Sequence, residues 1–250
     1  MIFSDSNLSV CAYWYDRFVV GGEFIDQTRA FLQRIMTTLP DLSILRVDRD
    51  PSEGDGLVRG DFSNFEEQSV LSLPKNYVFL NPASSSKTFT RESTAATAFF
   101  GSFSLSSREG EKELSVRVTV GGPQARATNS CVMGLSPGLE SVESARTLLG
   151  LSVDFWNPHN AYVGRYEVQR LLKQPVADIK IGWLTYLTDV TAQEIVPSDI
   201  HTERFYSGVL IRATEAPGHK DDLESLENMR RVLSALGPKI LSPRSPQKNK

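Results

Sequence analysis

The stretch Leu114-Ser115-Val116-Arg117-Val118-Thr119-Val120 decides the fold class. Leu114, Val116, Val118 and Val120 alternate with Ser115, Arg117 and Thr119, and the run is rich in β-branched residues. Successive side chains of a strand point to opposite faces, so this pattern reads as a strand with one face in a core. Gly121-Gly122-Pro123 ends it, and Asn129 to Leu135 reads as its hairpin partner. A strand answered by so near a neighbour pairs with it antiparallel.

On the N-terminal side, Leu8 to Tyr15 reads as a strand broken by Gly21-Gly22. Glu23 to Leu39 is the clearest helix. Phe24, Thr28, Phe31, Leu32, Ile35, Met36 and Leu39 share one face at spacings of three and four, acids lie in the first turns, and Pro40 follows the end. Leu42 to Val47 reads as a second strand and Asp48 to Gly60 as a charged loop. Asn64 to Leu73 is a short helix or irregular, Tyr77 to Leu80 a brief apolar run, and Pro82 to Thr94 a Ser- and Thr-rich loop. Ala95 to Ser104 carries both helical and strand signals.

On the C-terminal side, Ser141-x-x-Ser144 opens a helix read to Leu149, and Leu151 to Trp156 is strand-like. Asn160 to Lys173 reads as a helix, with Val163, Tyr166, Leu171 and Leu172 partly in phase. Ile179 to Leu187 and Tyr206 to Ala213 are strongly β in composition. Asp221 to Leu236 is the closing helix, stopped by Gly237-Pro238. Strands fall in adjacent groups with helices between the groups, and no steady βαβα alternation appears. The expected fold class is therefore α+β, a mixed or largely antiparallel sheet packed with amphipathic helices. Residues 1–241 are expected to form a single domain, followed by a disordered basic tail over 242–250.

The 250 residues are 40% hydrophobic, 23% charged and 9% aromatic, ordinary values for a globular chain that buries its core without staples. Cys11 and Cys131 stand 120 positions apart and suggest neither a disulfide framework nor a zinc site. No basic, apolar leader opens the sequence and no window approaches a membrane span, so the expected compartment is the cytoplasm. Net charge is −3, but the stretch from Lys239 to Lys250 carries Lys239, Arg244, Lys248 and Lys250 and no acid, which leaves the rest of the chain at −7. An acidic body is a poor match for phosphate backbones and a good one for a basic protein, whose approach it accelerates.

Three sequence motifs fail on chemistry. Gly134-Leu135-Ser136-Pro137-Gly138 fits G-x-S-x-G, but the residue after the serine must lend its N–H to an oxyanion and Pro137 has none. Ser84-Ser85-Ser86-Lys87 holds S-x-x-K in a Ser run without helix formers. Asp48-Arg49-Asp50-Pro51-Ser52-Glu53 begins like a calcium loop, but Glu53 occupies the position of the sharp-turn glycine and Arg59 that of the bidentate acid. His159, His201 and His219 have no partners at metal spacing. Neither a cofactor nor a metal is expected. The residues point to a binding protein; an enzyme with a dispersed site or an adaptor of a secretion apparatus are the alternatives.

Four segments together resemble the immunity protein 52 family of bacterial polymorphic toxin systems. They are Ala12-Tyr13-Trp14-Tyr15-Asp16-Arg17 leading into the helix with Phe31 and Leu32; Val118-Thr119-Val120-Gly121 through Asn129-Ser130-Cys131-Val132; Ile181-Gly182-Trp183-Leu184-Thr185-Tyr186-Leu187; and Ser207-Gly208-Val209-Leu210-Ile211 through Ala213-Thr214-Glu215 before the closing helix. The resemblance spans about residues 8 to 241. It implies a cytoplasmic immunity protein, not an enzyme, that neutralises a cognate toxin. That toxin would be a restriction-endonuclease-like DNase effector of contact-dependent or type VI secretion. The residues expected to bind it are Asp48, Asp50, Glu53 and Asp55, for steering, and Trp14, Arg17 and Trp183, as anchors. For the aromatic residues, core packing is the competing role.

Overall fold

The computed structural model describes residues 8–14, 19–48, 54–72, 90–93, 99–120, 129–173 and 179–240. The elements in order are β1 (Leu8–Trp14), α1 (Gly21–Thr38), β2 (Ile44–Val47), β3 (Leu57–Val58), α2 (Phe65–Ser72), β4 (Phe99–Ser106), β5 (Glu113–Val120) and β6 (Asn129–Leu135). A 3-10 turn (Pro137–Leu139) leads to α3 (Val142–Trp156), β7 (Asn160–Arg165), α4 (Tyr166–Leu172), β8 (Leu184–Leu187), α5 (Ala192–Ile195), β9 (His201–Phe205), β10 (Gly208–Arg212) and α6 (Leu223–Ile240). Ten strands form one sheet in the order β3-β2-β4-β5-β6-β1-β7-β8-β10-β9. Every neighbouring pair is antiparallel. The α+β class holds, and the sheet is wholly antiparallel among the described residues.

The alternation at Leu114–Val120 sets the first face. Leu114, Val116, Val118 and Val120 are buried there with Phe99, Phe103 and Leu105 of β4, Cys131, Met133 and Leu135 of β6, and Leu8, Val10, Ala12 and Trp14 of β1. Registers such as Val116 opposite Met133 and Val10 opposite Met133 keep these side chains on one side. The predicted stripe of α1 covers them through Phe24, Phe31, Leu32 and Ile35, joined by Phe65 of α2 and by α3. Gly21-Gly22, read as a break, is the first turn of α1: the two N–H groups donate to Ser93 O and Arg91 O at 2.8 and 2.7 Å. On the second face, α4, α5 and α6 pack over Leu187 of β8 and Val209 and Ile211 of β10, through Val168, Ala192, Leu226, Met229 and Val232.

Five segments differ from expectation. Leu151 to Trp156 continues α3, which ends at Asn157 in the left-handed region (φ 44°). Residues Leu148 to Val153 are all buried, so the helix is apolar around most of its girth and its 3.6 period is hidden. Asn160 to Arg165 is a strand, not a helix; all six residues are buried between β1 and β8, which removes the alternation. His201 to Phe205 is a polar edge strand without an apolar signal. The expected strand at Ile179 begins only at Leu184, and the closing helix contains non-helical Gly237 where the stop was expected. Gly182 approaches β7 so closely that a Cβ would lie 2.2 Å from Val163 O, which only glycine permits. The expected apolar run Tyr77–Leu80, the expected loop Pro82–Thr94 apart from residues 90–93, and the tail 242–250 lie outside the described residues.

The two sheet edges are finished differently. At β3, Asn64 Nδ2 donates to Leu57 O at 3.0 Å and Arg59 N donates to Asn64 Oδ1 at 2.8 Å. One side-chain amide thus occupies both outward backbone positions and closes that edge to another strand. At the far edge, β9 pairs with β10 alone among the described residues.

Candidate functional site

Charge is concentrated at the β3 edge. From Asp48 to Glu67 the chain carries seven acids (Asp48, Asp50, Glu53, Asp55, Asp61, Glu66, Glu67) against Arg49 and Arg59, a net of −5. Among the described residues, Asp48, Asp55, Asp61, Glu66 and Glu67 stand there against Arg59, and Arg91 pairs with Glu66. The fold gathers the acids because α2, with Glu66 and Glu67 in its first turn, packs beside β2 and β3.

The sequence-predicted residues fall in three places. Asp48 follows β2; its N–H donates to Ser102 O and its Oδ2 accepts from Ser102 Oγ, both at 2.8 Å. Asp55 is exposed, with Oδ1 accepting from Leu57 N at 3.0 Å, and these two acids bracket the loop. Asp50, Glu53 and Arg17 lie outside the described residues. Trp14 and Trp183 are 3% and 1% exposed. Trp14 stacks on Trp156 with ring centroids 4.7 Å apart, and Trp183 Nε1 donates to Thr214 O at 2.8 Å. Both rings therefore fill the core, the competing role, and neither presents a surface to a partner.

Three exposed or half-buried acids extend the corner beyond the predicted set. Asp61 Oδ1 accepts from Ser63 N at 2.9 Å, and hydrogen bonding from Ser63 holds its carboxyl below the usual carboxylate range. Glu66 accepts from Arg91 at 2.8 Å, and Arg91 also pairs with Asp26 of α1, so this guanidinium ties α1 to α2. Glu67 is exposed. Sequence spacing alone does not bring residues 61–67 beside Asp48 and Asp55; the packing of α2 against β2 and β3 does.

The corner adjoins the part of the second face that α4, α5 and α6 leave aside. Alternation places Arg46 of β2, Phe100, Ser102 and Ser104 of β4, and Arg117 and Thr119 of β5 on that side. Arg117 lies over the Phe100 ring at 5.3 Å. Farther along this face, burial pushes the Cys11 thiol up to about 11, with hydrogen bonds to Tyr162 and Tyr13, and burial also raises both phenols. A thiol held protonated is not an activated nucleophile. This cluster makes stability fall as the solution becomes alkaline. Above pH 9 the unfolded chain releases a thiol proton that the folded protein keeps until about 11. The Cys11 contribution lost by pH 11 is about 2–3 kcal/mol. Urea unfolding at pH 8 and pH 11 should show this loss, and Cys11→Ala should reduce it; an equal loss in the variant would assign the effect to other groups.

At the other ends of β2 and β4, an open cleft of about 440 Å³ lies between the α1–β2 connection and the β4–β5 turn. It is lined by Asp41, Arg108, Glu109, Glu111 and Lys112 among others. Lys112 Nζ bridges it to Asp41 at 2.6 Å. Among the described residues, no group of three or more His, Cys, Asp or Glu is placed to hold a metal ion, and no helix is long and apolar enough to cross a membrane. The G-x-S-x-G serine, Ser136, precedes the 3-10 turn and accepts from Glu113 N at 2.8 Å, a strand-end turn as its proline predicted.

No protein-family model and no curated protein matches the sequence. Among solved structures, the Pseudomonas aeruginosa T6SS protein PA0821 is similar at 16% identity and a TM-score of 0.49, over 92% of this chain and 72% of that one. Likeness at this level carries no functional statement, and the resemblance to the immunity protein 52 family rests on the four segments.

Proposed function

We propose that this chain is an immunity protein. It binds a cognate secreted toxin, a restriction-endonuclease-like DNase effector of a contact-dependent or type VI system, and neutralises it without chemistry of its own. The observation that carries this reading is the cluster of Asp48, Asp55, Asp61, Glu66 and Glu67 at one corner of the sheet, within a sequence run of net −5 from Asp48 to Glu67. A nuclease needs a basic surface for DNA, and an acidic corner on an inhibitor steers toward such a surface and competes for it. The segment resemblance supplies the biological setting.

Co-expression with the toxin encoded beside this gene tests the function: growth rescue with co-purification is expected, and cells that die despite soluble protein would end the reading. The surface has its own test. Asp55→Asn, Asp61→Asn and Glu67→Gln together remove three charges but keep hydrogen-bond acceptors. Association with the toxin should slow roughly tenfold at low salt and lose much of its salt dependence, with dissociation little changed. Unaltered stopped-flow association would exclude the corner.

A further inference from the structure

We propose that β9 is a homodimer edge, at which two copies of this chain join antiparallel about a two-fold axis at Thr202. This goes beyond the proposed function and does not depend on it.

The hydrogen-bond pattern shows which groups are available. Ala213 N donates to Trp183 O at 2.9 Å, so residue 213 faces β8. Alternation then turns Val209 and Ile211 toward β8 and Gly208, Leu210 and Arg212 toward β9. Their partners Phe205, Glu203 and His201 use their backbone groups inward. Thr202 and Arg204 hold their N–H and C=O groups outward, and neither has a backbone partner on that side among the described residues. The opposite edge is closed by Asn64.

Charged side chains usually guard such an edge against pairing. Here they select a partner. Centred on Thr202, an antiparallel second copy sets Thr202 against its equivalent as a hydrogen-bonded pair. It also sets His201 opposite Glu203 twice, in the non-hydrogen-bonded positions where side chains approach most closely. Glu203 Oε1 accepts from Arg146 at 2.7 Å, and its Oε2 has no hydrogen-bond partner among the described residues, leaving it for the imidazole. Shifting the axis to Glu203 would oppose two glutamates, whereas the first register sets Thr202 against Thr202 and gives each Glu203 an imidazole N–H to accept from. Arg146 of α3 lies against Glu203 and Phe205 on one face of β9, while His201 is exposed and no described residue pairs with the outward edge. The union makes one continuous sheet. Nine inter-strand steps place each acidic corner roughly 40 Å from the junction, free for its own partner.

Sedimentation velocity from low to high micromolar concentration should show a reversible dimer. Thr202→Pro removes an N–H that the monomer does not use, so it should leave a folded monomer by circular dichroism. His201→Glu, which opposes two acid pairs without touching the backbone, should weaken the dimer about tenfold. Thr202→Cys should cross-link to itself with a short bis-thiol-reactive reagent, because the two equivalents of a hydrogen-bonded antiparallel pair stand opposite with Cα atoms about 5.5 Å apart. Arg204→Cys should not, since its opposite is Ile200. A monomer at every concentration overturns the proposal. So does a dimer indifferent to His201→Glu, or cross-linking as efficient at 204 as at 202.

Discussion

Trp156→Ala should destabilise the protein by about 3–5 kcal/mol, the cost of emptying a large aromatic site in a close-packed core. Trp156 is 1% exposed and closes α3. Its ring stacks on Trp14 of β1 at 4.7 Å and 9°, and meets Phe31 of α1 at 5.2 Å and its neighbour Phe155 at 4.8 Å. One side chain therefore joins the central strand, the long N-terminal helix and the buried helix between them. Removing it strips contacts from three elements that cannot all collapse toward the gap. For a chain of this size each kcal/mol moves the melting temperature by roughly 2–4 °C, so a drop of about 6–20 °C is expected by calorimetry. Trp156→Phe keeps an aromatic ring in the stack and should cost distinctly less. Equal losses in the two variants would mean that the indole contributes something other than packing.

The aromatic cluster also shows what could be read from the chain and what could not. Leu8, Val10, Ala12 and Trp14 recur at period 2 with Ser9, Cys11 and Tyr13 between them, a core signal that the expectation of Trp14 as an anchor overlooks. The stripe of α1 and the β5–β6 hairpin are legible for the same reason: each has one apolar side and one wet side. Legibility fails where burial is two-sided. In β7 and the second half of α3 nearly every side chain is enclosed, so neither period survives and composition misleads. It fails again at β9, where edge position replaces the apolar signal with His201, Glu203 and Arg204. The acidic loop is visible as a local run of charge, but its union with Asp61, Glu66 and Glu67 depends on α2 lying beside β2 and β3, a tertiary fact with no local trace.

Glu140→Ala should cost about 2–4 kcal/mol, because a buried guanidinium loses its carboxylate and a strand N–H loses its acceptor. Glu140 lies between the 3-10 turn and Ser141, which caps α3 by accepting from Ser144 N at 3.0 Å. The carboxylate is 17% exposed and faces Arg165, at 7%, with contacts of 2.9 and 3.3 Å; its Oε1 also accepts from Leu8 N at 2.9 Å. The first residue of β1, the last of β7 and the entry to α3 are thus held by one group. Alanine leaves a guanidinium in a nearly closed site and takes the acceptor from a strand N–H, and each loss is worth more here than at the surface, where ion pairs contribute little. The pair as such need not be stabilising. Glu140→Gln with Arg165→Met retains an acceptor for Leu8 and removes both charges, so it should recover most of the loss. Urea unfolding of the two single variants and the double gives the coupling directly. Recovery in the double variant identifies desolvated charge as the source of the penalty. A double variant as unstable as Glu140→Ala would instead assign the stability to the bidentate geometry itself.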